Sequence, residues 1–227
     1  MKIELEPIAW VRSPFKQKFG TPRQSGLIQE ARGCIEFDAK KLPFGSLENL
    51  KDFSHLWLIF IFHQNSPFQA RGKVKPPRLL GEKRGLLATR SPHRPNPLGL
   101  SLVVLESVNQ EKRWIEVSGL DLVDGTPLLD IKPYIATYDC PPSSSSHWVQ
   151  ETPEKNLEVI WPKKPSTPFS LEEKSLIEKT LSFDPRNLED KKKKEDKKIH
   201  KCLLGSYDIH FRVIENKIKI LSWLTKA

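Results

Sequence analysis

The chain has 227 residues, with 37 Lys and Arg against 28 Asp and Glu, a net charge of +9 and 37% hydrophobic residues. This is enough apolar material for one large domain or for a medium and a small one. The basic surplus favours a polyanionic partner, because each phosphate neutralised by Lys or Arg releases counterions.

Cys34, Cys140 and Cys202 are odd in number and far apart, so neither a disulfide framework nor a zinc site is expected. Met1 to Pro7 lacks the layout of a signal peptide, and the longest apolar run, 56–62, is too short to span a bilayer. The expected compartment is the cytoplasm, with no membrane partner.

In chain order, strands are expected at 3–11, 33–37, 55–62, 85–89, 100–108, 113–118 and 127–131, separated by Pro/Gly turns. The run 56–62 is short and rich in β-branched and aromatic residues, which marks a buried strand rather than a helix. Ile115 and Val117 share one parity, and the polar 109–112 reads as a hairpin loop. One short helix is expected at 46–52. Many short strands with few helices predict a mainly β fold, an antiparallel single-sheet β-barrel, rather than alternating βαβ units.

At 141–146 the composition turns loop-like. The expected division is a barrel domain over 1–142, a Pro/Ser-rich linker over 143–168 and a small α+β domain over 169–227. Ser170-Leu-Glu-Glu173 is a capping box that opens a helix to about Ser182, ended by Asp184-Pro185. The run 188–198 reads as a solvated charged loop. Ile209, Phe211 and Val213 alternate, as do Ile218 and Ile220, which predicts a hairpin turning at Glu215-Asn216.

Chemistry concentrates in the loops. The stretch 71–94 holds eight basic residues and one acid, Glu82, on a backbone interrupted by Pro and Gly. Loop arginines beside a rigid strand suit phosphates, although a solvated basic surface would look alike. Within it, 90–99 reads Arg-Ser-Pro-His-Arg-Pro-Asn-Pro-Leu-Gly; three prolines in six residues stiffen a frame that presents Arg90, His93, Arg94 and Asn96. Its bland counterpart is a rigid connector. The segment 121–127, Asp-Leu-Val-Asp-Gly-Thr-Pro, is either a plain tight turn or a carboxylate-bearing loop that holds a ligand hydroxyl or ammonium group. There is no GxGxxG, GxxxxGK[ST], HExxH or GxSxG. The residues alone reach a basic β-barrel with a stiff Arg/Asn/Pro loop that binds RNA.

Taken together, Pro22-Arg-Gln24, Phe53-Ser-His-Leu-Trp57, Phe62-His-Gln64, Ala88-Thr-Arg-Ser91, Arg94-Pro-Asn-Pro-Leu-Gly99 and 121–127 with Asp130-Ile-Lys-Pro-Tyr134 resemble the TrmO-like tRNA methyltransferases. Asp184-Pro-Arg186 and 207–213 resemble that family's C-terminal domain. The run 191–198 and the pair His210-Phe211 depart from its pattern.

The resemblance implies a barrel that binds S-adenosylmethionine without a Rossmann sheet, acting as a homodimer. The implied reaction is N6-methylation of threonylcarbamoyl-adenosine beside the anticodon of threonine tRNA. It implies donor contacts from Pro22, Arg23, Gln24, His63, Gln64, Arg90, Leu100, Asp121, Leu122, Val123 and Asp124. Asp121, Asp124 and His63 are the candidate proton acceptors. Arg84, Arg94, Asn96, Lys132, Arg186 and Arg212 are the candidate RNA contacts. Two other readings compete: a non-catalytic RNA-binding barrel, and a metal-dependent hydrolase built on His55, His63, Asp124 and Asp130. Their spacing fits no ligand motif.

Overall fold

The computed structural model describes residues 3–69, 71–79, 81–151, 156–163, 169–193 and 196–226. Alternation of buried and exposed positions defines the first strands. In β1 (Ala9–Arg12) Ala9 and Val11 point inward; β2 (Gly33–Phe37) buries Ile35; β3 (His55–Ile61) buries Leu56, Leu58 and Phe60. Two-residue strands β4 (Lys73–Val74) and β5 (Arg84–Gly85) pair with each other away from the main sheet. The long β6 (Leu98–Asn109) is followed by β7 (Trp114–Ser118) and β8 (Pro127–Pro133). Six of these close into an antiparallel barrel in the order β1-β2-β7-β6-β3-β8, with β8 returning to β1. Closure pairs every barrel strand on both sides over at least part of its length.

The expected mainly β barrel is present. The hairpin loop at 109–112 is too, braced by the Lys112 N–H donating to Asn109 Oδ1 at 2.8 Å and by Arg113 reaching the carbonyls of Ala39 and Leu42. Two local expectations differ. Instead of a helix at 46–52 there is only a 3-10 turn, Leu50–Asp52, preceded by Asn49 in the left-handed region (φ 59°); the Pro43, Gly45 and Asn49 positions deny the segment a continuous helical run. The expected strand at 85–89 is a 3-10 turn, Leu86–Ala88, which buries Leu86 and leaves Leu87 exposed.

Short helices α1 (Ala136–Asp139) and α2 (Trp148–Glu151) leave the barrel. Helix α2 and strand β9 (Glu158–Ile160) both lie inside the segment expected to be linker, 143–168, of which 152–155 and 164–168 lie outside the described residues. Helix α3 (Leu171–Ser182) begins with the expected capping box, in which Ser170 and Glu173 bond each other's backbone N–H. After α4 (Leu188–Lys191) come β10 (His200–Leu204), β11 (Tyr207–Ile214) and β12 (Lys217–Thr225). The β11–β12 turn puts both Glu215 (φ 51°) and Asn216 (φ 61°) in the left-handed region, as a two-residue primed turn requires. The second sheet runs β10-β11-β12-β9, with β9 parallel to β12.

One continuous apolar core joins the barrel to the C-terminal unit. Phe15 bridges Leu204, the Gly205 N–H donates to Pro14 O at 2.8 Å, and Glu30 accepts from Lys179 and Ser175 of α3.

The charged run is not merely solvated. Asp190 and Asp196 are buried and clamp the loop onto Arg186 and His200. Arg186, expected to contact RNA, is only 4% exposed at its side chain; it bonds Asp184 with two nitrogens at 2.8 and 2.9 Å and Asp196 Oδ2 at 3.3 Å. A guanidinium so enclosed by carboxylates holds the fold and has no face left for a phosphate.

Candidate functional site

The site forms where β7 parts from β6. Their pairing begins only at Val104 opposite Ser118, and Gly119 (φ 73°) then swings the chain away. A Cβ at Gly119 would stand 3.4 Å from the backbone of Gly26, so the crossing is close as well as left-handed. The first half of β6 is thus left without a partner on this side. The loop 22–26 fills the gap: the Leu102 N–H donates to Ser25 Oγ at 3.1 Å and the Gly26 N–H to Gly119 O at 2.9 Å.

Four more segments converge there. Arg90, from the proline-stiffened loop, donates Nη1 to Gln24 Oε1 at 2.7 Å, and Gln24 Nε2 donates to Arg23 O. Lys18 holds the Gln64 carbonyl, and Asn65 Nδ2 donates to Pro92 O at 2.8 Å, which joins the end of β3 to the Arg90 loop. The Ser101 hydroxyl, on the inward face of β6, donates to Asp121 Oδ1 at 2.6 Å. The loop carrying Arg94 is itself braced, with Arg94 Nη1 on Thr89 O at 2.8 Å and Phe62 N on Pro97 O at 2.8 Å. Gly99 ends it for a packing reason: a Cβ there would sit 2.1 Å from the Phe60 ring.

Asp121 carries the unusual electrostatics. Burial is the largest influence and pushes its pKa up to about 6, against the opposing pull of the Ser101 hydroxyl, the backbone N–H groups of Asp121 and Ser25, and the positive charge of Arg90. The group is therefore ionised at neutral pH yet far more basic than an ordinary carboxylate.

The structure brings together Gln24, Arg90 and Asp121. Exposed His63 and Gln64 follow β3 and are tied to the Arg90 loop through Asn65, while Pro22 lines a cleft with Thr180, Phe183 and Pro185 of the C-terminal unit. Others it sends elsewhere. Arg23 Nη2 reaches Asp184 O at 3.3 Å and ties the loop to the C-terminal unit. Leu122 is buried in the core, and Val123 caps a tight turn by accepting the Thr126 hydroxyl. Asp124, expected as a proton acceptor, has one oxygen on the Ser13 N–H at 2.8 Å and the other on Lys16 at 3.0 Å; it braces the β7–β8 connection against β1. Leu100 stands on the outward face of β6, opposite Ile59, while its neighbour Ser101 faces in. Of the RNA candidates, Arg94 and exposed Asn96 share the Arg90 loop, Arg84 pairs with Glu82 at 3.0 Å, Lys132 pairs with Asp130 at 3.0 Å, and Arg212 lies on β11.

Ser25 and Ser101 were not singled out. Ser25 gives no signal in the sequence. Ser101 does: it is a polar residue at the inward parity of a strand, between the inward positions Gly99 and Val103.

Among the described residues, the one group of three side chains close enough to share a metal ion is Asp190, Asp196 and His200; Asp196 already bonds Arg186 and His200, and the Asp190 carboxylate accepts from Lys193 and Asn187. His55, His63, Asp124 and Asp130 form no such group; His55 bonds Ser54, and Asp130 pairs with Lys132. No helix among the described residues is long and apolar enough to cross a membrane.

Fold and site define a closed antiparallel β-barrel whose loops 22–26 and 90–97 meet beside a carboxylate of raised pKa, extended by a small α+β unit. The tRNA-methyltransferase O N-terminal domain model matches residues 10–140, and the TrmO C-terminal domain model matches 154–225. The chain belongs to the TrmO family. The Escherichia coli K12 protein named tRNA (adenine(37)-N6)-methyltransferase is 35% identical over 97% of this chain and 97% of its own length. A mouse protein of the same name is 48% identical over 63% of this chain; the match spans 33% of that protein, about a third of its length. A crystal structure of TrmO superposes with a TM-score of 0.77 at 30% identity, covering 98% of this chain and 99% of the other.

Proposed function

We propose that this protein is an S-adenosylmethionine-dependent tRNA methyltransferase that acts on N6 of threonylcarbamoyl-adenosine beside the anticodon of threonine tRNA. The observation that carries the reading is Asp121, held by the Ser101 hydroxyl and lying within the field of Arg90, which itself bonds Gln24.

The residues present fit a sulfonium nucleoside. Asp121 offers an anion for a hydroxyl or ammonium group, and the loop 22–26 has the Gln24 side chain facing Arg90. The donor, when bound, supplies an electrophilic methyl group. The chain's part is to place the acceptor nitrogen in line, about 3 Å away, and to take its proton. In threonylcarbamoyl-adenosine, N6 belongs to a urea-like group whose lone pair is delocalised, so proton removal restores nucleophilicity. Asp121 is the acceptor we assign, its carboxylate steered by Ser101. His63 is exposed and stands by at the rim. Arg94 and Asn96, on the stiffened loop, meet the anticodon arm, with Arg84 and Lys132 flanking.

The active form is a homodimer. The outward positions of β3 and β6 make contiguous apolar rows, Ile59 opposite Leu100 and Ile61 opposite Leu98, with Leu100 52% exposed and Leu98 42% exposed. A stripe of this kind on a cytoplasmic protein is best covered by a second copy.

The test is mass spectrometry of nucleosides from threonine tRNA after incubation with the protein and isotopically labelled donor. Label on the methyl group of threonylcarbamoyl-adenosine is expected. Unlabelled nucleosides with intact tRNA binding would leave the non-catalytic RNA-binding barrel instead. Sedimentation of the full chain, with a monomer as the contrary result, checks the dimer.

A further inference from the structure

The outward face of the C-terminal sheet carries a cluster of cations that the fold does not explain. The inward face is fully accounted for: Cys202, Leu204, Ile209, Phe211, Val213, Ile218 and Ile220 are buried in the common core. On the other face, three adjacent strands place Lys201 opposite His210, and Arg212 opposite Lys219. Lys219 in turn faces Ile160 of β9, so no acid enters that row.

Like charges directly opposite on neighbouring strands destabilise a sheet. Neighbouring cations on the same face avoid the problem: Lys217 pairs with Glu158 at 2.8 Å, and His210 and Lys226 approach Asp208 at 3.6 and 3.7 Å. Lys201, Arg212 and Lys219 have no acidic partner among the described residues. The Nε of Arg212 is also withdrawn from solvent and lacks a hydrogen-bond partner among the described residues. A buried guanidinium nitrogen without an acceptor is costly in a fold whose other enclosed guanidinium, Arg186, is fully matched. An anion laid on this face would offset the repulsion between Arg212 and Lys219.

We infer that Lys201, Arg212 and Lys219 form a phosphate-binding face for the tRNA backbone, separate from the barrel loops that meet the modified base. The inference rests on the tRNA-methyltransferase reading and assigns it a second contact surface. Such a face positions the RNA without reading sequence, since phosphates carry none. It also gives the C-terminal unit a task in substrate binding that a folding role alone would not.

The experiment measures the affinity of the full chain for full-length tRNA across a salt series, for the wild type, for the triple variant Lys201→Gln/Arg212→Gln/Lys219→Gln, and for a control of equal charge loss, Lys40→Gln/Lys51→Gln/Lys112→Gln, at three exposed barrel positions. With about 0.7 to 0.9 counterions released per phosphate, the triple variant is expected to lose about 2 units of log–log salt slope and roughly tenfold in affinity near 150 mM salt. Donor binding by isothermal titration stays as in the wild type, and the control keeps its slope. Lys219→Gln alone should hold or raise the melting temperature, by about 1–3 °C, as the repulsion is relieved; a residue with a purely structural role would lower it. A full slope in the triple variant, with the wild type methylating tRNA, overturns this face and leaves the methyltransferase reading intact. Absence of methylation in the wild type retires that reading, while the salt slopes still decide the face.

Discussion

The Ser101 hydroxyl donates to Oδ1 of Asp121 across 2.6 Å, at the level where β6 has lost β7 as a neighbour. A serine facing into a barrel is normally a defect in apolar packing, because an unpaired buried hydroxyl costs free energy. Here it finds a partner because Asp121 follows the left-handed turn at Gly119 back under the loop 22–26. The bond holds the carboxylate in one orientation and lowers its pKa from the value burial alone would impose.

If Asp121 accepts the proton, Asp121→Asn should slow single-turnover methylation by about 100- to 10,000-fold, with a smaller effect on donor affinity. The wild-type rate should fall as pH drops through about 6, where the carboxylate takes up its own proton. Ser101→Ala, by removing a bond that favours the charged form, should move that limb to higher pH, and Ser101→Thr should restore it. A wild-type profile flat from pH 5 to about 8 would count against the assignment.

The same carboxylate destabilises the protein at neutral pH. Its folded-state pKa lies above the ordinary carboxylate value, so the native state carries the cost of a buried charge above pH about 6, and sheds it as pH falls toward 4. Asp121→Asn is expected to add on the order of 1–3 kcal/mol to unfolding free energy at pH 7 and little at pH 4. Urea denaturation at the two pH values measures the difference.

Arg186→Met should cost about 3–5 kcal/mol, since it strands Asp184 and Asp196 as buried charges. Thermal unfolding followed by circular dichroism reads the loss. tRNA affinity, corrected for the folded fraction, should be unchanged, because the side chain is enclosed.

Burial would raise the pKa of Asp196, but bonds from His200, the Lys198 backbone N–H and Arg186 outweigh it and bring it down to about 2. A carboxylate with a depressed pKa stabilises the fold above its unfolded-state value, near 4, and that stabilisation is lost as pH falls toward 2. Asp196→Asn should therefore flatten the stability profile between these limits, at the price of a lower plateau above them. An acid titration monitored by tryptophan fluorescence compares the slopes.

Gly99→Ala places a methyl group where the Phe60 ring lies, 2.1 Å from its nearest carbon. A cost of about 1–3 kcal/mol is expected from the forced shift. Phe60→Leu in the same chain should recover part of it, as measured by chemical denaturation.

The barrel strands could be read from the chain because their signal is short-range. The run 56–62 is short and rich in β-branched and aromatic residues, and Ile115 and Val117 share one parity, each signal lying within one element. The α3 capping box and the Glu215-Asn216 turn are equally local, each fixed by neighbouring backbone groups. Strand β9, three residues long and inside a proline-rich stretch, has too little pattern of its own; its pairing with β12 makes it a strand. The fate of the charged residues was not local at all. Arg186 looks like any basic side chain until Asp184 and Asp196 enclose it, and Asp121 and Asp124 look alike until one meets Ser101 and the other Lys16. Gln24 and Arg90 stand 66 residues apart in the chain and touch only because β7 leaves β6 early. Periodicity follows from bonds along the chain; burial, partner and pKa follow from which distant segments the closed sheet brings together.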